Sequence, residues 1–192
     1  MKQKIIMING SPRMNGGTSA AFRILRQELL KEGAAVTEYR LNTMNFRGCQ
    51  GCMGCKRREG CVLYDDLTEV LQSLKSADGL IIGSPIYMFA VSGQMSLFIN
   101  RLYSLINRYY QPYAGKVRKL MTVYSMGSPS AGYAEAEEQR IQAAMKMFGF
   151  RETERIEVTG VMPGQTLEGL PEYLERSLIR KADRWVRDAI AE

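Results

Sequence analysis

The chain has no histidine and a single tryptophan among its 192 residues. The first absence removes the side chain that most often acts near neutral pH as acid, base, metal ligand or pH switch. No apolar run approaches the ~20 residues of a membrane-spanning helix. The first eight residues have a basic start but too short an apolar run for a secretory leader, so a cytoplasmic protein is expected. The net charge is +6. Lys and Arg are nevertheless spread among Asp and Glu, with no basic tract or aromatic-basic repeat to suit nucleic acid. Such a charge fits an acidic partner or an anionic small molecule better. Two phosphate motifs are also missing. Gly17 rather than Lys follows Gly16, so there is no G-x-x-x-x-G-K-[ST], and no G-x-G-x-x-G occurs. Both disfavour a nucleoside triphosphatase or a dinucleotide-binding domain.

Cysteine is scarce but concentrated. All four cysteines, Cys49, Cys52, Cys55 and Cys61, fall in one C-x2-C-x2-C-x5-C stretch. Two-residue gaps let a turning backbone aim successive sulfurs inward at one soft-metal centre. In a reducing compartment such a cluster points to metal or redox chemistry rather than a disulfide frame. Three readings stand open. Four thiolates suit a [4Fe–4S] cluster. Zinc also accepts four thiolates, although structural zinc sites usually use two separated C-x2-C knuckles. A pair such as Cys52 and Cys55 suits thiol–disulfide chemistry. Arg47, Lys56, Arg57 and Arg58 flank the cysteines. They would offset an anionic centre and attract an acidic carrier, or simply form a solvated basic loop.

The remaining pattern alternates strand and helix. Ile5–Ile8 is an apolar run ending in Asn9-Gly10, as a strand buried on both faces reads. Thr18 or Ser19 is placed to cap a helix to about Lys31, with Phe22, Leu25 and Leu29 at helical spacing and Gly33 as its stop. Val36–Leu41 is a second strand. Asp65 and Asp66 open a helix with Leu67, Val70, Leu71 and Leu74 on one face. Further strands are expected at Leu80–Gly83, Leu120–Met126 and Ile156–Val161. Helices are expected from about Gln94 to Arg108, around Ile141–Phe148, and after Pro171 with Leu174, Leu178, Trp185 and Ala189 inward. Five strands with crossover helices predict an α/β doubly wound parallel sheet with helices on both faces. Strands two and five are the most polar, which suits the order 2-1-3-4-5 with those two at the edges. The whole chain, 1–192, reads as a single domain, with a cysteine-bearing loop over 46–64 between strand two and the next helix.

In this architecture ligands bind beyond the strand carboxyl ends at the switch point, here between strands one and three. The loop Gly10–Ser19 leads straight into a helix. Glycines such as Gly16 let backbone N–H groups approach an anion, and the helix N-terminus adds positive potential. Ser11, Thr18 and Ser19 offer hydroxyls and Arg13 a charge. The plainer alternative is an ordinary glycine-rich turn. Across the switch point, Pro85 stiffens the loop Ser84–Met88 and Tyr87 can cover a flat ring. Ser125–Ser128 forms a third wall.

Gly10-Ser11-Pro12-Arg13 with Gly16-Gly17-Thr18-Ser19, followed by Gly83-Ser84-Pro85-Ile86-Tyr87, resembles the flavodoxin-like NAD(P)H-dependent FMN reductases. The cysteine motif between them is similar to that of the iron–sulfur flavoproteins within that superfamily. The resemblance implies FMN, with its phosphate on Ser11, Arg13, Thr18 and Ser19. It implies an isoalloxazine against Pro85, Ile86 and Tyr87, with Gly127 nearby, and a [4Fe–4S] cluster on Cys49, Cys52, Cys55 and Cys61. It further implies a homodimer or homotetramer, and an electron donor such as NAD(P)H or ferredoxin with a small-molecule or protein acceptor. No side chain is required as catalytic acid or base, since the cofactors carry the chemistry. Two other functions fit the sequence. One is a cluster-free NAD(P)H-dependent reductase of quinones, and the other is a zinc-stabilised interaction module without enzyme activity.

Overall fold

The computed structural model describes residues 2–114, 118–162, 165, 167 and 169–188. Among these residues the strands are β1 (Lys4–Asn9), β2 (Ala35–Arg40), β3 (Gly79–Tyr87), β4 (Ala90–Val91), β5 (Arg118–Ser125) and β6 (Phe150–Val158). The helices are α1 (Gly17–Lys31), α2 (Leu67–Lys75), α3 (Gly93–Arg101), α4 (Glu135–Met147) and α5 (Glu172–Arg187). The five long strands are parallel, in the order β2-β1-β3-β5-β6, and β4 adds to β3 antiparallel. The expected flavodoxin-like order therefore holds. The period-2 alternation explains the two layers. Ile6 and Ile8 of β1 face Leu67, Val70, Phe98 and Ile141 from α2, α3 and α4. Ile5 and Met7 face Phe22, Leu25, Leu178 and Trp185 from α1 and α5. The polar strands β2 and β6 lie at the edges as expected.

Several boundaries differ from the sequence reading. The last strand begins at Phe150, not Ile156, and ends at Val158. Its first half, Arg151–Arg155, is charged because an edge strand turns one face to water, so it reads as loop. The third helix stops at Arg101 rather than about Arg108, passing into a 3-10 turn over Leu102–Leu105. The Ile106–Pro112 bridge then reverses the chain. Ser84–Tyr87 continues β3 rather than forming a loop, and Met88 and Phe89 make a two-residue turn into β4. The cap of α1 is Gly16, with neither Thr18 nor Ser19 outside the helix. Gly33, at φ +83°, does follow its end. Pro171 caps α5, and Ala189 lies outside the described residues.

Two polar devices hold the layers. Arg118 is buried and donates to the Leu74 and Phe148 carbonyls at 2.5 and 2.9 Å, at the ends of α2 and α4. Burial pulls its guanidinium down to about 10. On the other face, Trp185 Nε1 donates to Thr153 Oγ1 at 2.8 Å, and Glu154 pairs with Lys181 and Arg184 of α5 at 2.8 and 2.6 Å. Burial alone would push the Glu154 carboxyl up, but the two cations hold it below its ordinary value of 4.5. The stability it contributes is present above about pH 4.5 and fades as pH falls through the lowered value. Glu154→Gln is therefore expected to lower the urea midpoint at pH 7, read by the fluorescence of the lone Trp185. The gap to wild type should close below about pH 4.5, and should stay under ~1 kcal/mol because the cations are partly exposed.

Candidate functional site: a two-loop cleft and a cysteine-lined cavity

The loop after β1 and the end of β3 meet because β1 and β3 are neighbours, with Asn9 opposite Gly83. Gly10 N donates to the Gly83 carbonyl at 2.8 Å, and Ser92 Oγ donates to the Gly10 carbonyl at 2.7 Å. The floor is thus shared by three segments. Gly83 must lack a side chain, since a Cβ there would lie 2.2 Å from the Phe22 ring and 2.9 Å from Thr18 Cγ2. That close approach brings the N-terminus of α1 onto the strand tips.

The resulting cleft encloses about 150 Å³. Ser11, Arg13 and Gly16 line it from one side, Pro85, Ile86 and Tyr87 from the other, and Gly127 from the third. Gly17, Ser125, Met126 and Val161 complete the wall. Thr18 and Ser19 lie beneath the loop instead. Thr18 Oγ1 shares a 2.7 Å hydrogen bond with Ser125 Oγ, and Ser19 Oγ donates to the Arg13 carbonyl at 2.8 Å. Ser11 N donates to Asn9 Oδ1 and Arg13 N to Ser11 Oγ, so the loop is braced from within. The Arg13 guanidinium reaches the Gln165 carbonyl. Arg40, which sequence reasoning passed over, supports the loop through Ser19 Oγ at 3.3 Å. Thr18→Val removes one partner of a buried hydroxyl pair and strands Ser125. A loss of about 1–3 kcal/mol in unfolding free energy is expected from chemical denaturation.

The donor set of the cleft suits a phosphate-bearing ligand. Gly16 caps α1 with no side-chain hydrogen bond, leaving the helix-start N–H groups uncapped by any side chain. A Cβ at Gly17 would press on Val161, Ser125 and Val158 at 3.0–3.3 Å, so the backbone itself forms the surface there. Among the described residues no carboxylate lines the cleft.

The four cysteines line a second, apolar cavity of about 60 Å³, together with Val62, Leu63, Arg101 and Tyr103. All four are free thiols; Cys49 and Cys52 are exposed, Cys61 is half-buried and Cys55 is buried. Burial pushes the Cys55 thiol up, while Lys56 pulls the other way. Among the described residues no three His, Cys, Asp or Glu side chains form a ready-made metal-holding group. The loop nonetheless turns tightly between its sulfurs. Met53 and Gly51 take left-handed conformations at φ 56° and 65°, turning the chain between sulfurs. Lys56 anchors it by donating to the Tyr103 and Ile106 carbonyls at 2.8 and 2.6 Å and by lying 3.7 Å over the Tyr103 ring. Arg101 grips it from below. Asp65 opens α2, accepting from Leu67 N and pairing with Arg101 at 2.6 Å. Burial opposes the Asp65 charge, but Arg101 and the backbone N–H groups of Arg47 and Leu67 hold its carboxyl below the ordinary value. Sequence reasoning missed Arg101 as well. Its only signal was an arginine three residues after Phe98, on the apolar side of α3.

Comparison with known proteins gives the family and the fold. Residues 3–159 match the NADPH-dependent FMN reductase family. An iron–sulfur flavoprotein of Methanocaldococcus jannaschii is 37% identical over 98 residues, covering 51% of each chain, so this chain spans about half the length of that relative. An iron–sulfur flavoprotein of Archaeoglobus fulgidus is 29% identical over 165 residues, covering 84% of this chain and 71% of the relative. In overall shape the chain is similar to an FMN-dependent NADH-azoreductase from Bacillus anthracis solved with FMN. The TM-score is 0.71 at 14% identity, covering 96% of this chain and 100% of that one. It is also similar to an NAD(P)H:quinone oxidoreductase from Methanothermobacter marburgensis, with a TM-score of 0.70 at 15% identity and coverage of 97% and 96%. No described helix is long and apolar enough to cross a membrane. With the match extending from the first strand through the last, the chain belongs to the NADPH-dependent FMN reductase family.

Proposed function

We propose that the protein is an FMN-dependent oxidoreductase of the iron–sulfur flavoprotein type, passing electrons between FMN, a [4Fe–4S] cluster and a redox partner. The observation that carries the reading is the convergence of Ser11, Arg13 and Gly16 with Pro85–Tyr87 and Gly127 on one cleft. When bound, FMN supplies hydride acceptance and the cluster supplies single-electron transfer. Arg13 and the N–H groups at the start of α1 bind the phosphate. Pro85, Ile86 and Tyr87 position the ring. The cleft lies at the carboxyl ends of β1, β3 and β5, where Pro85, Ile86 and Tyr87 would meet a bound flavin ring. There a nicotinamide or quinone reaches it, and the exposed Tyr87, Met88 and Phe89 offer a surface for a second subunit. With no carboxylate among the described lining residues and no histidine in the chain, a bound flavin would exchange its protons with solvent. Cys49, Cys52, Cys55 and Cys61, which line one cavity, are the residues that would hold the cluster. The donor is a nicotinamide or a ferredoxin-like carrier, and the setting is cytoplasmic.

Anaerobically purified protein is expected to bind FMN, to carry iron and acid-labile sulfide, and to show both flavin and cluster absorption. Failure to bind FMN at micromolar concentration overturns the reading. A second reading is a cluster-free FMN and quinone reductase in which the four cysteines stay free thiols. A yellow protein without iron establishes it.

A further inference from the structure

Arg101 is the most completely buried cation beside the cysteines; its side chain has no exposed surface. A guanidinium carries five N–H donors, and four have partners here. Nη1 donates to the Arg47 carbonyl at 2.8 Å and to Asp65 Oδ2 at 2.6 Å. Nη2 donates to Asp65 Oδ1 at 3.1 Å and to the Leu63 carbonyl at 3.5 Å. The fifth donor, Nε–H, is buried without a partner. Nε of Arg40 and of Arg118 is buried without a partner as well, but only Arg101 of the three lines the cavity that the four cysteines surround. Cys61 is the cysteine placed nearest in the chain to this grip: it lies two residues before Leu63, whose carbonyl holds Nη2, it is partly buried against the core that contains Phe98 and Leu102, and it lines the same cavity as Arg101.

We propose that Arg101 is a positioning and tuning residue for the sulfur centre: its Nε–H donates to the Cys61 sulfur once that sulfur is a metal-bound thiolate. The inference rests on the cluster reading above. Two of the other four N–H groups grip the ends of the cysteine loop, at Arg47 and Leu63, and two hold Asp65; together they fix the guanidinium plane. Asp65 balances most of the charge without touching the sulfurs, so the fifth donor acts as a directed hydrogen bond on a pre-set line. A donor to a ligating sulfur stabilises the more negative, reduced state and raises the reduction potential.

The test uses anaerobically reconstituted full-length protein. Iron and sulfide content check the cluster reading first; a wild type that takes up no iron overturns both that reading and this inference. In loaded protein, Arg101→Lys keeps a charge but removes the planar Nε–H, and Arg101→Gln with Asp65→Asn removes the pair together. Either is expected to keep its iron and its FMN affinity. Each should lower the cluster's reduction equilibrium constant about tenfold, ~59 mV for one electron. A loaded variant titrating with the wild-type potential overturns the inference and leaves the cluster reading standing. Should both variants fail to fold, wild type carrying 15N-arginine decides. Electron–nuclear double resonance on its reduced cluster is expected to show an arginine nitrogen coupling and an exchangeable proton, and their absence overturns the inference.

Discussion

Gly16→Asp is expected to weaken FMN binding by at least about 100-fold, ~2.7 kcal/mol, without lowering the melting temperature. The two effects separate for a geometric reason. Gly16 stands at the N-cap of α1 in extended conformation, φ −92° and ψ 173°, with no side chain capping the helix. Aspartate there accepts from the N–H of the second or third helical residue, Thr18 or Ser19, and so serves the helix as well as glycine or slightly better. Room exists, since the nearest atoms to an added Cβ are Arg13 Cβ at 3.4 Å and Ser11 Oγ at 3.7 Å. The carboxylate then occupies the donors that would bind phosphate, and repels its charge. Riboflavin lacks the phosphate, so its affinity should change only a few-fold. Fluorescence titrations with both flavins, beside Gly16→Asn as the neutral cap, check the claim. Parallel loss of FMN and riboflavin would mean that the loop does not hold the phosphate.

The same glycine shows where sequence reasoning reached and where it stopped. Apolar runs such as Ile5–Ile8 and Leu80–Ile82 fixed the central strands, because only strands buried on both faces are apolar throughout. With neighbours known, the loops after β1 and β3 had to meet. The cap of α1 was less legible. Ser and Thr are the usual caps, so Thr18 and Ser19 looked right, whereas the structure buries both hydroxyls under the loop. A bare cap carries no positive signal in a sequence. β4 was invisible for another reason: two residues cannot declare a strand, and Ala90–Val91 pair with β3 only because Met88 and Phe89 accept left-handed conformations. Arg40 and Arg101 escaped because an isolated arginine ordinarily reads as surface. Only the fold shows that one braces the loop after β1 and the other lies beside the cysteines.

α3 joins the two sites and makes the second large effect specific. Its N-cap, Ser92, donates to the Gly10 carbonyl under the cleft, and its N–H reaches Ser84. Its last residue, Arg101, lies at the cysteine cavity. Nine helical residues span about 13 Å, so the two sites are separate but rigidly spaced. Cys55→Ser and Cys61→Ser are each expected to drop bound iron from about four per chain to near zero. FMN affinity should hold within about twofold, since sites this far apart without shared partners act nearly additively. The inner pair should lose more than Cys49→Ser or Cys52→Ser, because the half-buried Cys61 and buried Cys55 stand within the cavity wall. The exposed positions can instead borrow water or an exogenous thiol as a fourth ligand. A rank order in which Cys49→Ser and Cys52→Ser lose the most iron would place the centre at the outer rim of the loop, away from Arg101. An unchanged iron content across all four variants would return the cysteines to thiol chemistry, with the flavin cleft unaffected.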